Sequence, residues 1–308
     1  MADESTTTTL TETIRTEVIG AAVLGYMSKP GVSDFVTVAD ITGMPTLKHV
    51  FPIIDNITAL AIAEATDYTT NSAVDSSGSA SATVSEHAVK STITDLTIGA
   101  TQEDFVGTTS GPVMTAAAAR AATIGTMFAR ALIKRRDQDL TALFGSFNSS
   151  TGTNTGALTS TLLTAAVALL DENDIPEDRR VAVLHPTQFK ALVPVFDEAS
   201  TFGAAGAQII NRGVAAMLYG AEIFRTTSVG TATVSSSTVY AGCIMHPDAI
   251  GLVNKGQLPT VEVERDASAR MVEVVGSGVW GEAEYRGGAT TSGRGGAGIY
   301  FYSNTTNQ

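Results

Sequence analysis

The sequence predicts an α+β fold built around one long helix, and three observations carry that reading. Residues 114–145 are rich in Ala, Met and Leu. Ile124, Phe128, Ala131 and Leu132 share one face, with Leu140, Leu143 and Phe144 further on, the pattern of a strong amphipathic helix. Residues 87–99 alternate apolar and polar side chains (Val89, Ser91, Ile93, Asp95), and strands recur after residue 260, the period of a half-buried strand. Between these lies helix, short apolar strand and helix over residues 158–195, an α/β unit.

Taken in order, residues 1–9 are a polar tip. Residues 10–27 carry Leu10, Ile14, Val18, Ala21 and Ala22 near helical spacing, with Thr11 and Glu12 at the start and Ser28-Lys29-Pro30-Gly31 at the end. Such an arm is too short to be stable alone and needs a surface to lie on. Residues 35–52 read as extended segments broken by Gly43, Pro45 and Pro52. Two β-like limbs follow, 53–70 (with Ile57, Leu60 and Ile62) and 87–99, around a small-residue tip at 71–85. A long hairpin with so little side-chain mass does not fold on its own. It is either an ordinary surface hairpin or a projecting loop that docks on a neighbour, in which case Asp75, Ser76 and Gly78 are candidate contacts.

Gly111-Pro112 opens the long helix, whose face changes at Lys134-Arg135-Arg136-Asp137-Gln138-Asp139. Bases precede acids there, the less favourable order within one helix. The run is a solvated surface, or Lys134, Arg135, Arg136, Asp137 and Asp139 pair across a subunit boundary. A polar linker spans 147–156. A helix over 158–173 is broken by Asp174-Ile175-Pro176, and Arg180 to Leu184 form a core strand ending at His185-Pro186. Helices are expected over 187–195 and 208–219, and strands over 222–226 and 238–245. The last strand again ends in His-Pro, His246-Pro247, and proline suits the first turn of a helix, so each pair marks a strand-to-helix corner. Residues 261–265 alternate, 271–275 and 279–286 form a second pair of limbs, and a Gly-rich tail over 287–298 closes with Ile299-Tyr300-Phe301-Tyr302.

Composition bounds the function. With 308 residues, 44% hydrophobic and only 16% charged, the chain can bury a sizeable core in one or two domains. The low charge fraction suits a surface covered by neighbours. A net charge of −12 does not suit a protein that grips phosphates, because that affinity comes from Lys and Arg, but it is compatible with a wall that merely encloses nucleic acid. Cys243 is the single cysteine, in an apolar run, so no internal disulfide forms. The acidic N-terminus lacks the features of a signal peptide, and no apolar run nears the ~20 residues needed to span a bilayer.

Catalytic patterns fail on context. Gly276-Ser-Gly278-Val-Trp-Gly281 has dinucleotide-loop spacing, but a helix must start there and the following residues read as strand. Gly293 to Gly298 has the same spacing and too little chain after it. His49, His87, His185 and His246 are spaced for no zinc motif. His185 and His246 sit at strand ends, where turn roles compete with catalytic ones. Glu262/Glu264 and Glu282/Glu284 each share a strand face, which is a solvated or interface face before it is an acid–base pair. Metal and cofactor are therefore expected to be none, and no catalytic residue is assigned.

The order of parts resembles the major capsid proteins of tailed bacteriophages, the Hong Kong-ninety-seven-type capsid fold shared with encapsulin shells. Residues 131–156, a long helix running into an Asn/Ser/Thr/Gly linker, and Asp178-Arg-Arg-Val-Ala-Val-Leu-His-Pro186 carry the resemblance most strongly. It implies an N-terminal arm over 1–52 and an extended β-hairpin loop over 53–98. It implies a peripheral domain from 99–150 and 256–308, with a spine helix over 112–145 and long strands over 258–286, and an α/β axial domain over 151–255. The implied function is a structural one. The chain would self-assemble as hexamers and pentamers into an icosahedral shell around double-stranded phage DNA, in the virion, with assembly in the host cytoplasm. Its partners would be itself, a separate scaffolding protein, a portal and a decoration protein, with no membrane. The tip over 71–85 contains no lysine for a covalent cross-link. Glu282 and Glu284 join the helix charges as candidate inter-subunit contacts. The alternatives are an encapsulin-like compartment and an α/β enzyme using His185 or His246.

Overall fold

The computed structural model describes residues 31–53, 78–94, 116–199, 217–256, 260–266, 268–286 and 296–305. A short 3₁₀ turn, Val32–Phe35, leads into β1 (Thr37–Asp40) and β2 (Lys48–Ile53), then β3 (Gly78–Thr83) and β4 (Ser85–Thr94). The long helix is α1 (Ala116–Ala142), tightened at its end into a 3₁₀ turn over Leu143–Ser146. Next come β5 (Ser149–Gly152), α2 (Ser160–Glu172), β6 (Val181–Leu184) and α3 (Pro186–Ala199). They are followed by β7 (Met217–Leu218), β8 (Ala221–Arg225), β9 (Thr231–Val234) and β10 (Ser237–Met245). The chain closes with β11 (Ile250–Asn254), β12 (Thr260–Asp266), β13 (Met271–Glu284) and β14 (Gly298–Asn304).

The strands form two larger sheets and a hairpin. In the first sheet the order is β1-β11-β13-β12, with β4 also on β13; in the second it is β5-β14-β10-β6-β8-β7, with β9 also on β10. The hairpin pairs β2 with β3, from Lys48 opposite Thr83 to Ile53 opposite Gly78. One core runs continuously from α1 (Leu132, Leu140) through α2 (Leu163, Leu170) to β6, β10 and β14. A second, smaller core joins Ile41, Phe51, Ala82, Val84 and Val253 under the hairpin. Among the described residues, no helix is long and apolar enough to cross a membrane.

Local chemistry explains the main elements. Thr159 caps α2, its hydroxyl accepting the Leu162 N–H at 3.3 Å, and Pro186 opens α3 where its missing N–H costs no hydrogen bond. All four residues of β6 are buried, as expected of a central strand. Through Trp280, β13 buries every second side chain.

Several expectations are corrected. Residues 271–275 and 279–286 are not two limbs: β13 runs unbroken through Gly276 and Gly278. A Cβ at Gly276 would lie 2.7 Å from the Phe128 ring of α1, and one at Gly281 would strike the Thr83 carbonyl oxygen. These glycines admit a helix and a neighbouring strand to close packing, which is a reason for glycine that has nothing to do with a nucleotide. The expected linker holds β5, which pairs in parallel with Ile299–Tyr302 of β14. The second limb of the expected loop pairs with β13, and its strand starts at Ser85. Residues 78–83, expected in the tip, are strand β3. His246-Pro247 leads into a single 3₁₀ turn, Pro247–Ala249, and then strand β11 rather than a helix. Of the helix expected over 208–219, residues 208–216 lie outside the described residues, and Met217–Leu218 is strand. Two strands cross the expected boundary at 255/256: β11 sits in the sheet of β12 and β13, and β14 beside β10. The arm helix over 10–27 and the first limb from residue 54 lie outside the described residues.

Candidate assembly surface

The charges of α1 divide into two sets by the face they occupy. Arg136 and Asp137 are buried, 8% and 5% exposed. Arg136 Nη2 donates to Ser33 Oγ at 2.6 Å, and Asp137 Oδ1 accepts the Val32 N–H at 2.9 Å. Both therefore spend their charge inside their own chain, tying the segment before β1 to the helix. Little of either side chain is left exposed for a contact with another subunit. A hydrogen bond to a charged group is worth more than a neutral one, and stripping its partner costs more still.

Arg135 and Asp139 lie on another face of the helix and converge with the first sheet. Arg135 donates from Nε to Asp139 Oδ2 at 3.2 Å, and its Nη2 lies 3.0 Å from Oδ1. This i,i+4 pair is worth about 0.3–0.5 kcal/mol where exposed. Asp139 also accepts the indole N–H of Trp280 from β13 at 3.3 Å, which fastens the helix to the sheet. His87 of β4 stacks on the Trp280 ring, centroids 4.2 Å apart, with Nε2 3.9 Å from Asp139. Glu282, two residues beyond Trp280, has its pKa raised from the ordinary carboxylate value, first by partial burial and then by repulsion from Asp139, with Arg135 opposing. Glu284 is likewise raised by burial, opposed by the Ser146 hydroxyl that donates to its Oε2 at 2.8 Å. Four of the predicted residues, Arg135, Asp139, Glu282 and Glu284, thus lie where the end of α1 meets the end of β13. His87, Trp280 and Ser146 complete the group and were not singled out from sequence. The alternation that marks β4 puts His87 on the Trp280 side, but no local signal names Trp280 as its partner.

Elsewhere the predicted residues are dispersed. Lys134 is exposed, and Gly78 is an exposed strand residue opposite Ile53. Asp75 and Ser76 lie outside the described residues. Glu262 and Glu264 point outward from β12. Among the described residues no three His, Cys, Asp or Glu side chains gather as metal ligands. The Cys243 thiol is fully buried, and that burial pushes its pKa well up, so it is held as the inert thiol.

The two His-Pro corners are built alike. His185 Nδ1 accepts the Thr187 N–H at 3.2 Å and His246 Nδ1 accepts the Asp248 N–H at 3.4 Å. Burial lowers both imidazole pKa values, favouring the neutral ring that can accept. His185 also stacks on Tyr240 with centroids 4.0 Å apart. Each histidine is engaged as the cap of a turn.

No family model matches this sequence, and no curated protein sequence matches it either. Solved structures do. The head structure of Helicobacter pylori bacteriophage KHP40 matches with a TM-score of 0.66 at 11% identity, covering 90% of this chain and 92% of that one. The chain has the capsid fold of tailed bacteriophages. Other examples of the capsid fold match over similar spans. The capsid of cyanophage P-SCSP1u has a TM-score of 0.56 at 16% identity, covering 90% of this chain and 88% of that one. The virus-like particle from Pyrococcus furiosus has a TM-score of 0.56 at 11% identity, covering 93% and 98%. The charged group sits on α1 and β13, the long helix and one strand of the first sheet. The neutral His-Pro corners belong to the second sheet and its edge.

Proposed function

We propose that the chain is the major subunit of an icosahedral shell, assembled from hexamers and pentamers, that encloses double-stranded phage DNA. The observation that supports it most is coverage: the likeness to the KHP40 head spans 90% of this chain and 92% of that one. The net charge of −12 fits a wall around nucleic acid better than a protein that grips it. On this reading the role is structural rather than enzymatic. The protein resides in the virion after assembly in the host cytoplasm, and works with a separate scaffolding protein, a portal and a decoration protein. The arm over 1–52, the loop over 53–98, the peripheral domain and the axial domain remain the working division of the chain. Asp75, Ser76, Gly78, Lys134, Arg135, Asp139, Glu282 and Glu284 remain its candidate contacts.

A second reading is favoured by one observation, the match to the Pyrococcus furiosus virus-like particle over 93% of this chain. That reading is an encapsulin-like compartment that assembles alone around a protein cargo. Expression of the chain alone and together with its scaffolding protein separates the two. Shells that need the scaffold, and nuclease-resistant double-stranded DNA in particles from infected cells, support the capsid. Shells that form unaided and co-purify with one protein cargo support the compartment.

A further inference from the structure

Strand β6 carries opposite charge beyond its two ends. Ahead of it, the end of α2 and the turn that follows hold Asp171, Glu172, Asp174, Glu177 and Asp178 against Arg179 and Arg180. Arg180 is consumed internally: its side chain is 2% exposed, Nη1 lies 2.6 Å from Asp171, and it donates to the carbonyls of Ile175 and Pro176. Those bonds, buried Ile175 and the positive φ of Asp174 and Arg179 hold the turn in one shape. Glu172, Asp174, Glu177 and Asp178 are exposed and have no ion-pair partner among the described residues.

Beyond the other end of β6, a groove of ≈ 450 Å³ opens between α1 and the start of α3. Arg130, Lys134 and Arg225 line it against one carboxylate, Asp137, which is already bonded to Val32. Arg225 ends β8, which runs parallel to β6 and brings it level with Leu184; its guanidinium sits 4.5 Å above the Phe189 ring. Arg130 and Lys134 are exposed and have no acidic partner among the described residues.

We infer that this cationic groove is the docking site for the acidic turn at 171–178 of a second copy of the chain. The four residues of β6 alone span about 13 Å, so one chain does not bring its own turn to its own groove. Unlike surfaces at opposite ends of one strand make a head-to-tail contact, the kind that closes into rings when the rotation allows. The turn is pre-organised, so little ordering entropy opposes docking. The acidic turn of a second copy brings four exposed carboxylates on one fixed surface to the three cations of the groove. The ring in this inference rests on the shell-forming reading.

The test uses the full chain, with its scaffold where assembly needs it, at about 0.1 M salt, where charge pairs act over about 10 Å. Three variants are compared with wild type by native mass spectrometry and sedimentation: R130E/K134E, E177K/D178K, and all four together. Each pair of reversals is expected to cut the assembled fraction about tenfold, and the fourfold variant to recover it, as coupled charges do in a double-mutant cycle. Thermal melts confirm that each variant folds. Should R130E/K134E not fold, R130Q/K134Q replaces it, and E177K/D178K tests the exposed turn independently. Normal assembly of both paired variants, or no recovery in the fourfold variant, overturns the inference and leaves the shell reading standing. A groove variant that assembles normally but no longer retains duplex DNA assigns the groove to a polyanion and also overturns it. Wild type that never assembles overturns both.

Discussion

Asp137 and Val32 lie 105 residues apart in sequence and are joined by a buried hydrogen bond, the Val32 N–H donating to Asp137 Oδ1 at 2.9 Å. The same oxygen would sit 2.9 Å from a Cβ on Gly31, so glycine is what lets the carboxylate reach the backbone. The helix thereby fixes where the chain enters the first sheet. Asp137→Ala is expected to cost about 2–4 kcal/mol of stability, since it leaves a buried N–H unpaired beside a buried arginine. Chemical denaturation measures it, and an unchanged midpoint would show the bond to be unimportant. Charge reversal at Arg136 or Asp137 should therefore damage folding itself, whereas reversal at Lys134 should leave the fold intact.

Gly281→Ala is expected to cost at least about 2 kcal/mol, because its Cβ meets the backbone oxygen of Thr83, and backbone cannot turn aside as a side chain can. Gly276→Ala meets the buried Phe128 side chain rather than backbone, so its cost should be smaller. Thermal melts of the two variants give the order; equal melting temperatures would contradict it.

Gln188 is fully buried in α3, where its Oε1 accepts the His185 N–H at 3.1 Å and its Nε2 donates to Tyr240 O at 3.3 Å and Ser303 Oγ at 3.0 Å. One amide thus joins the corner after β6 to β10 and β14. Gln188→Leu, similar in size, is expected to cost about 2–4 kcal/mol by removing three hydrogen bonds from a buried site. A denaturation midpoint equal to wild type would show that water replaces the amide.

Glu282 and Glu284 supply a pH dependence. Both are raised in the folded chain above the ordinary value of 4.5, chiefly by burial. An acid with a raised folded pKa holds more protons folded than unfolded in the window just above 4.5. Its stabilisation is full below that value and is lost as pH rises through the folded pKa. Glu282→Gln should therefore melt higher than wild type at pH 7 and equally near pH 4. The reverse order at pH 7 would mean that Arg135 outweighs Asp139 and burial.

Removing residues 1–27 is expected to leave a soluble, folded core, because an arm of that length is too short to be stable alone and takes its burial from the surface it lies on. Shells of the truncated chain should dissociate at lower denaturant than those of the full chain. Equal shell stability would count against the arm.

Elements whose signal is local were legible in the sequence. The Ala/Leu face of α1, the alternation of β4 and the helix–strand–helix run through β6 each depend on neighbours in sequence. Elements whose cause lies far along the chain were not. β5 reads as linker because Ser149-Ser-Thr-Gly152 has no apolar pattern, and only its pairing with Ile299–Tyr302 makes it a strand. β13 reads as two limbs because its glycines look like breaks until the Phe128 ring is seen against Gly276. The burial of Arg136 had a signal that went unused. It stands four residues from both Leu132 and Leu140, inside the stripe that runs from Phe128 to Phe144. His185 and His246 were legible as corners, since proline follows each. The convergence of Asp139, Trp280 and Glu282 was not, because helix and strand meet there across some 140 residues of chain.

The most direct measurement is electron microscopy of the purified full-length chain, expressed with its scaffolding protein and averaged with icosahedral symmetry. The account predicts closed shells with five- and six-fold clusters, each subunit fitting the two-sheet fold with α1 along its length. Particles absent under every condition, with the chain monomeric throughout, would contradict it.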